Sequence, residues 1–128
     1  MQPNFLELDD VLEYHSWMIE KYGGAQGLRD QSALESALAA PMNRYLYEQA
    51  DLSVCAATYA YHLSQAHAFI DGNKRITAAI AELFLNVNGL RLQASDEEMI
   101  DLFLRVAAGE VDRDEVERVF AQWVWTKS

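Results

Sequence analysis

The hydrophobic residues of this chain follow the spacing of helices rather than strands. In the first part, apolar side chains recur about every three or four positions from Asp9 to Tyr22, which predicts an amphipathic helix ended by the glycine pair that follows it. No stretch keeps the strict alternation of apolar and polar residues that a half-buried strand requires. The pattern therefore predicts an all-α fold.

The second predicted helix runs from about Asp30 to Ala40, and either Asp30 or Ser32 is placed to cap it. Pro41 follows directly. Because proline removes a backbone donor and clashes inside a helix, we expect it to stop this helix or to start the next turn. Residues 42–50 fit either a short helix or an ordered loop.

Two segments in the middle of the chain are apolar around most of their circumference. One runs from Leu52 to about Ala66, and the other begins near Asn73 and is closed by Asn88 and Gly89. Helices of this kind are expected to be buried. A short polar turn joins them, so the sequence predicts two central helices flanking one polar turn.

The C-terminal part predicts a short extended piece at Leu90–Ala94 and two further helices. Ser95 and Glu98 form a capping box that opens a helix to about Ala108, and the last helix is expected from Asp112 to Thr126. In the helix that begins at Ser95, the residues expected to face inward are Ile100, Phe103, Leu104 and Ala107. With 128 residues, the expectation is a compact single-domain bundle of about six helices over residues 1–128.

Composition and charge narrow the possible partners. A formal charge of −10 and a sequence pI near 4.6 repel nucleic acids and anionic membrane surfaces, so neither is an expected partner. Cys55 is the only cysteine, which excludes an internal disulfide and fits a reducing compartment. The N-terminus lacks the pattern of a signal peptide, and a cytoplasmic protein is expected.

Candidate chemistry concentrates in the turn between the two central helices. His67, Asp71, Asn73, Lys74 and Arg75 crowd this junction, although charged side chains are rarely buried without a partner. The adjacent basic pair is the only one in a strongly acidic chain. A nearby anion would explain that placement.

The physics of the turn supports an anion site. A helix that begins near Asn73 leaves its first backbone amides without intrahelical partners, and its dipole is positive there. Gly72 has no side chain to block a phosphate, and Lys74 and Arg75 add positive charge. Asn73 has two possible roles, either donating to a phosphate oxygen or holding the loop shut.

Three further residues of the turn have candidate roles. Asp71 is a hard oxygen ligand suited to Mg²⁺ that arrives with a nucleotide, His67 is placed to take a proton from an attacking hydroxyl, and Phe69 is expected to anchor the loop to the core. The plainer alternatives are that Asp71 caps the following helix and that His67 is structural.

The stretch HAFIDGNKR, residues 67–75, resembles the signature of the Fic/Doc superfamily, H-x-F-x-[D/E]-G-N-x-R, at all six specified positions. The block LRDQSALESALAAP, residues 28–41, and the compact length resemble the death-on-curing (Doc) branch. The resemblance covers roughly residues 5–125. A helix–turn–helix context is the one that the signature requires.

The resemblance implies roles for individual residues. It makes His67 the general base for a target hydroxyl and Asp71 the residue that holds Mg²⁺. The nucleotide phosphates would be bound by a cradle that consists of Gly72, Asn73, Lys74 and Arg75. ATP is the implied substrate.

Two departures bear on the reaction. Family members that transfer AMP usually read G-N-G-R-x-x-R, whereas Lys74 replaces the second glycine here and Ala78 stands at the second arginine. Both features are similar to Doc, which phosphorylates a threonine of elongation factor Tu. The resemblance therefore favours transfer of the γ-phosphate to a Ser or Thr hydroxyl, with AMP transfer or a non-catalytic nucleotide- or peptide-binding module as alternatives. It also implies a cognate antitoxin.

Three residues outside the turn have weaker claims. Arg29 either orients the turn or forms a salt pair with Asp30 at the start of a helix, and the salt pair is the favoured interpretation. His15 and His62 fall within helix patterns and are expected to be ordinary core or surface residues.

Overall fold

The computed structural model describes residues 2–126 and contains six helices and two short strands over that range. In chain order, these elements are α1 (Leu8–Tyr22), α2 (Gln31–Glu48), α3 (Leu52–Ala66), α4 (Asn73–Val87), β1 (Leu90–Leu92), α5 (Asp96–Ala107), α6 (Arg113–Trp123) and β2 (Val124–Thr126). The prediction of an all-α bundle of about six helices is confirmed. Of the predicted domain, Met1, Lys127 and Ser128 lie outside the described residues.

The helix α3 lies at the centre of the bundle and contacts α2, α4 and α6. Small side chains such as Ala56, Ala57 and Ala60 are buried along it, and they allow the neighbouring helices to approach closely. The inner face of α4 supplies the large apolar residues Ile80 and Phe84. The two central helices predicted from the sequence are therefore confirmed, and a loop of residues 67–72 joins them.

The helix α2 differs from the prediction, because it continues through Pro41 to Glu48. Asp30 rather than Ser32 caps it, accepting a hydrogen bond from the backbone of Ala33 at 3.0 Å. Pro41 is buried against the neighbouring helix, where its carbonyl lies 3.8 Å from Cys55 Sγ. Burial of the helix face against α3 outweighs the lost backbone donor, so the expected stop at this proline is wrong.

The C-terminal end also differs from the prediction. The last helix ends at Trp123, and Val124–Thr126 pair with Leu90–Leu92 as a two-stranded antiparallel sheet. The extended piece expected near Leu90 is thus confirmed, but the expected helix up to Thr126 is wrong. Residues 124–126 are β-formers by type, and they satisfy the backbone groups of a strand that otherwise has no partner.

The helix α5 begins at the predicted capping box, in which Ser95 and Glu98 each bond to the other's backbone. Its buried face, however, consists of Met99, Leu102 and Val106. Ile100 and Leu104, expected to face inward, are about half exposed. Apolar residues occupy so much of this helix that their spacing alone does not select one face.

Candidate active site

The 67–72 loop brings the sequence-predicted residues to one exposed place. His67 ends α3, and α4 begins after Gly72. The side chains of His67, Asp71, Lys74 and Arg75 are exposed there. An imidazole, a carboxylate and two cationic side chains are therefore exposed together at the junction of the central helices.

The side chain of Asn73 closes the loop on itself. Its Oδ1 accepts a hydrogen bond from the backbone N–H of Phe69 at 3.0 Å, and its Nδ2 donates to the carbonyl of Phe69 at 2.8 Å. Both ends of the amide are thus used within the loop. What Asn73 offers an incoming anion is its backbone N–H at the start of α4.

Phe69 and His15 hold the loop against α1. Phe69 is buried, and its ring stacks on the imidazole of His15 with centroids 3.7 Å apart. His15 is itself buried, with Nε2 lying 2.8 Å from the carbonyl oxygen of Asp71. Because a carbonyl only accepts, Nε2 carries the proton and donates. The structure thus gives His15 a role in shaping the site, whereas its helical spacing predicts only an ordinary core or surface residue.

The segment 27–30, which precedes α2, runs beside the loop as an irregular strand. Leu28 and Phe69 form an isolated antiparallel bridge, and Ile70 donates its N–H to the carbonyl of Gly27 at 3.1 Å. The backbone N–H groups of Arg29 and Asp30 both donate to the carbonyl of Ala68, at 2.7 and 3.0 Å. The loop is therefore fixed from two sides, by α1 and by this segment.

Arg29 does not form the expected salt pair. Its Nη2 donates to the carbonyl of His67 at 2.6 Å, while the carboxylate of Asp30 caps α2. No ion pair joins Arg29 to an acidic residue within the described part of the chain. The favoured salt-pair interpretation is wrong, and the alternative, in which this arginine orients the turn, agrees with the observed contact.

The N-terminus of α4 has the properties of an anion site. Gly72 precedes the helix with φ 80°, a left-handed conformation that favours glycine, and it supplies no capping side chain. The first intrahelical bond is donated by Ile76 to Gly72, so the amides of residues 73–75 point out of the helix end without an intrahelical partner. These amides and the helix dipole attract an anion to this end of α4.

Two backbone amides hold the Asp71 carboxylate at the exposed end of the loop. One oxygen accepts from the N–H of Gly72 at 2.9 Å and the other from the N–H of Ala25 at 3.2 Å. Both oxygens retain further lone pairs. Residues 2–126 contain no group of three or more His, Cys, Asp or Glu that would form a closed metal cage, so a bound ion would need ligands from a nucleotide and water.

Cations gather around this site although the chain is strongly acidic. The guanidinium of Arg75 lies over the ring of Tyr22, 4.3 Å from its centroid. The ammonium of Lys21 lies over both Trp17 and Tyr22, at 4.9 and 5.3 Å. Cation–π contacts of this kind orient charged side chains that are otherwise free to move. Lys74, which precedes Arg75 in the chain, adds a further exposed charge.

The six-helix fold and the 67–72 loop can be compared with those of known protein families. The family model described as Fic/DOC family matches residues 5–85, and the chain belongs to that family. Among curated proteins, Toxin Doc of Mycolicibacterium smegmatis is 34% identical over 116 residues, which cover 88% of this chain and 87% of the relative. The similarity thus extends beyond the loop to most of both chains. None of the helices in residues 2–126 has the length and apolarity that crossing a membrane requires.

Proposed function

We propose that this protein is a Doc-like toxin that transfers the γ-phosphate of ATP to a Ser or Thr hydroxyl of a target protein. The observation that carries the proposal is the exposed His67 beside the uncapped N-terminus of α4. The His67 imidazole would accept a proton there, next to the end of α4 that attracts an anion. Phosphoryl transfer requires mainly positioning and positive charge, both of which this arrangement supplies.

In the proposed reaction, His67 takes the proton of the target hydroxyl as that oxygen attacks the γ-phosphorus. The new bond joins the hydroxyl oxygen to phosphorus, and the bond between the γ-phosphorus and the bridging β,γ-oxygen breaks, so ADP leaves. The amides of residues 73–75, with Lys74 and Arg75, stabilise the negative charge on the phosphates. The imidazolium formed at His67 then releases its proton to solvent.

Mg²⁺ fits the acidic position of the loop. Asp71 is exposed and keeps lone pairs beyond its two backbone contacts. One carboxylate together with substrate phosphates and water is a usual set of Mg²⁺ ligands in nucleotide-dependent enzymes. When bound, the ion would neutralise charge on the nucleotide phosphates.

Two residues of α4 favour transfer of the γ-phosphate over transfer of AMP. Lys74 stands where AMP-transferring members have a second glycine, and Ala78 stands where they have a second arginine. Ala78 offers no charge to a phosphate. The site therefore lacks one cation that would hold the outer phosphates of ATP in the orientation used for AMP transfer, and AMP transfer is the second candidate.

The name of the relative Toxin Doc supports a role of this chain as the toxin of a toxin–antitoxin pair. We propose a small cognate antitoxin as a partner and a translation factor similar to elongation factor Tu as the target. A reaction that consumes ATP is expected in the cytoplasm. The net charge of −10 favours a basic segment in the antitoxin surface.

The proposal is tested by incubating the purified protein with ATP labelled at either the α- or the γ-phosphate and with a bacterial lysate. Transfer of γ-label that disappears in His67→Ala supports the kinase, and transfer of α-label supports the AMP transferase. Equal labelling by the wild type and His67→Ala contradicts both. Toxicity that persists in the His67 variant while no label is transferred points to the third alternative, a non-catalytic binding module.

A further inference from the structure

His67 has a backbone conformation that ordinary residues avoid. It ends α3 with φ 45° and ψ 46°, and it is one of two non-glycine residues with positive φ in the described range. Glycine would adopt this conformation without strain, but glycine has no imidazole. A histidine in this conformation persists only when its surroundings hold it there.

The surroundings of His67 include one side chain that bonds directly to its backbone. Arg29 donates from Nη2 to the His67 carbonyl at 2.6 Å, from a position 38 residues away in the chain. This carbonyl belongs to the C-terminal end of α3, where the helix dipole is negative, so a cation is favourable there. A hydrogen bond from a charged donor is also stronger than one between neutral groups.

The neighbouring backbone makes Arg29 rigid enough to act in this way. The N–H groups of Arg29 and Asp30 both donate to the Ala68 carbonyl, which fixes the main chain of the arginine against the loop. Asp30 is in turn held as the N-cap of α2. The backbone of Arg29 is therefore anchored at Ala68, and its side chain bonds to the preceding residue of the loop, His67.

From this geometry we infer that Arg29 is a positioning residue, which holds His67 in the left-handed conformation and so directs its imidazole into the site. Only the expected effect on turnover rests on the proposed function; the effect on the conformation of His67 does not. The phosphate-binding end of α4 is held separately, by His15 and Asn73. Loss of Arg29 should therefore slow turnover and leave nucleotide binding almost unchanged.

The variants that test this are Arg29→Met, which removes the donors, and Arg29→Lys, which keeps one charged donor. Arg91→Met is the matched control, because Arg91 is an exposed arginine on β1. We expect Arg29→Met to lower kcat by roughly tenfold or more, with KM for ATP within about twofold. Arg29→Lys should recover much of kcat, and Arg91→Met should behave as the wild type.

A second measurement does not depend on activity. NMR of the histidine-labelled protein follows the backbone coupling constant and the carbon shifts of His67, which report φ. We expect these values to move away from the left-handed range in Arg29→Met, to stay near it in Arg29→Lys, and to remain unchanged in Arg91→Met. Thermal unfolding of each variant identifies any general loss of folding, which would also shift the signal of His62 within α3.

The outcomes separate the two proposals. If the wild type transfers no label, the proposed function fails, and the NMR values of His67 alone decide whether Arg29 positions it. Unchanged NMR values in a folded Arg29→Met protein would overturn the inference. A raised KM for ATP with kcat intact would also overturn it, because Arg29 would then act on the nucleotide.

Discussion

His15 and Phe69 stack face to face, with centroids 3.7 Å apart and an angle of 12° between the rings. The same imidazole donates to the carbonyl of Asp71 at 2.8 Å. His15, a buried residue of α1, thus holds both the Phe69 ring and the Asp71 backbone of the 67–72 loop. It controls the loop from outside the sequence motif.

The two contacts of His15 are separated by substitution. His15→Phe keeps a stacked ring and removes the donor to Asp71, which should lower the free energy of unfolding by about 1–2 kcal/mol. His15→Ala also removes the ring and should cost about 3 kcal/mol. Urea denaturation of both variants measures these values. Equal stability of His15→Phe and the wild type would show that the hydrogen bond contributes nothing.

Asn73 is expected to stabilise the loop through its side chain. Asn73→Ala leaves the N–H and carbonyl of the buried Phe69 without their partners, and the free energy of unfolding should fall by about 2 kcal/mol. Asn86→Ala is the matched control, since Asn86 is on the same helix and its side chain forms no hydrogen bond within residues 2–126. Denaturation curves that move equally for both variants would contradict the role of the Asn73 amide.

Gly24 lies against the Asp71 carboxylate. A Cβ at Gly24 would meet Asp71 Oδ2 at 2.7 Å, whereas one at Gly23 would meet nothing within 4 Å. Both glycines have positive φ, 121° and 90°, so Gly24→Ala and Gly23→Ala should each cost about 1–3 kcal/mol of stability through backbone strain. Gly24→Ala should cost more, because its Cβ would also meet Asp71 and Ile19.

The two glycine variants differ at the site itself. Only Gly24→Ala displaces the carboxylate of Asp71, so it should weaken binding of Mg²⁺ together with a nucleotide by roughly tenfold if Asp71 ligates the ion. Calorimetric titration with Mg²⁺ and a non-hydrolysable nucleotide measures this. Identical affinities for Mg²⁺ in the Gly23 and Gly24 variants would show that Asp71 is not a ligand of the ion.

The sequence predicts this fold well where local pattern decides the structure. The spacing of apolar residues predicts the two central helices and the polar turn between them, and the Ser95 and Glu98 pair marks the start of α5. Local pattern fails at Pro41, since burial against α3 keeps the helix intact there. It fails again at Val124, because its partner Leu92 lies on a strand that comes much earlier in the chain.

The supports of the candidate site are harder to predict than the site itself. The loop residues are adjacent in sequence, so a motif can reveal them. His15 and Arg29 reach the loop from 56 and 38 residues away, and no local pattern encodes such a contact. The helical spacing of His15 fits either a core or a surface position, and it does not indicate the carbonyl that this residue meets.

A nearly buried ion pair connects α2 to α6. Arg44 Nη2 lies 2.6 Å from Glu117 Oε1, and their side chains are 15% and 14% exposed. Although burial opposes it, this pairing with Glu117 and a second one with Glu48 raise the pKa of Arg44. The guanidinium is therefore charged at neutral pH.

Removing one member of this ion pair leaves the charge of the other without a partner. Arg44→Met should destabilise the protein by about 3 kcal/mol, because the Glu117 carboxylate loses its partner in a largely buried place. The double variant Arg44→Met, Glu117→Met should recover much of that loss. Glu48→Gln is the control, since Glu48 is 55% exposed and should change stability by less than about 1 kcal/mol. Additive losses in the double variant would contradict the pairing.

His62 gives the stability of the fold a dependence on pH. Burial, with the nearby cations Arg113 and Arg44, lowers the pKa of His62 below its ordinary value of 6.5. The unfolded chain therefore binds a proton at His62 more readily than the folded one does. It follows that the free energy of unfolding falls as the pH drops through 6.5 toward the lower pKa of the folded state, and that this contribution is fully present above 6.5.

Two measurements check this dependence. An NMR titration of the His62 ring should give a midpoint below 6.5 in the folded protein, and a midpoint at or above that value would contradict the prediction. In urea denaturation, His62→Gln should lose stability less steeply than the wild type as the pH falls below 6.5. Arg113→Gln removes one of the two cations, so it should raise the midpoint of His62 and lie between the wild type and His62→Gln.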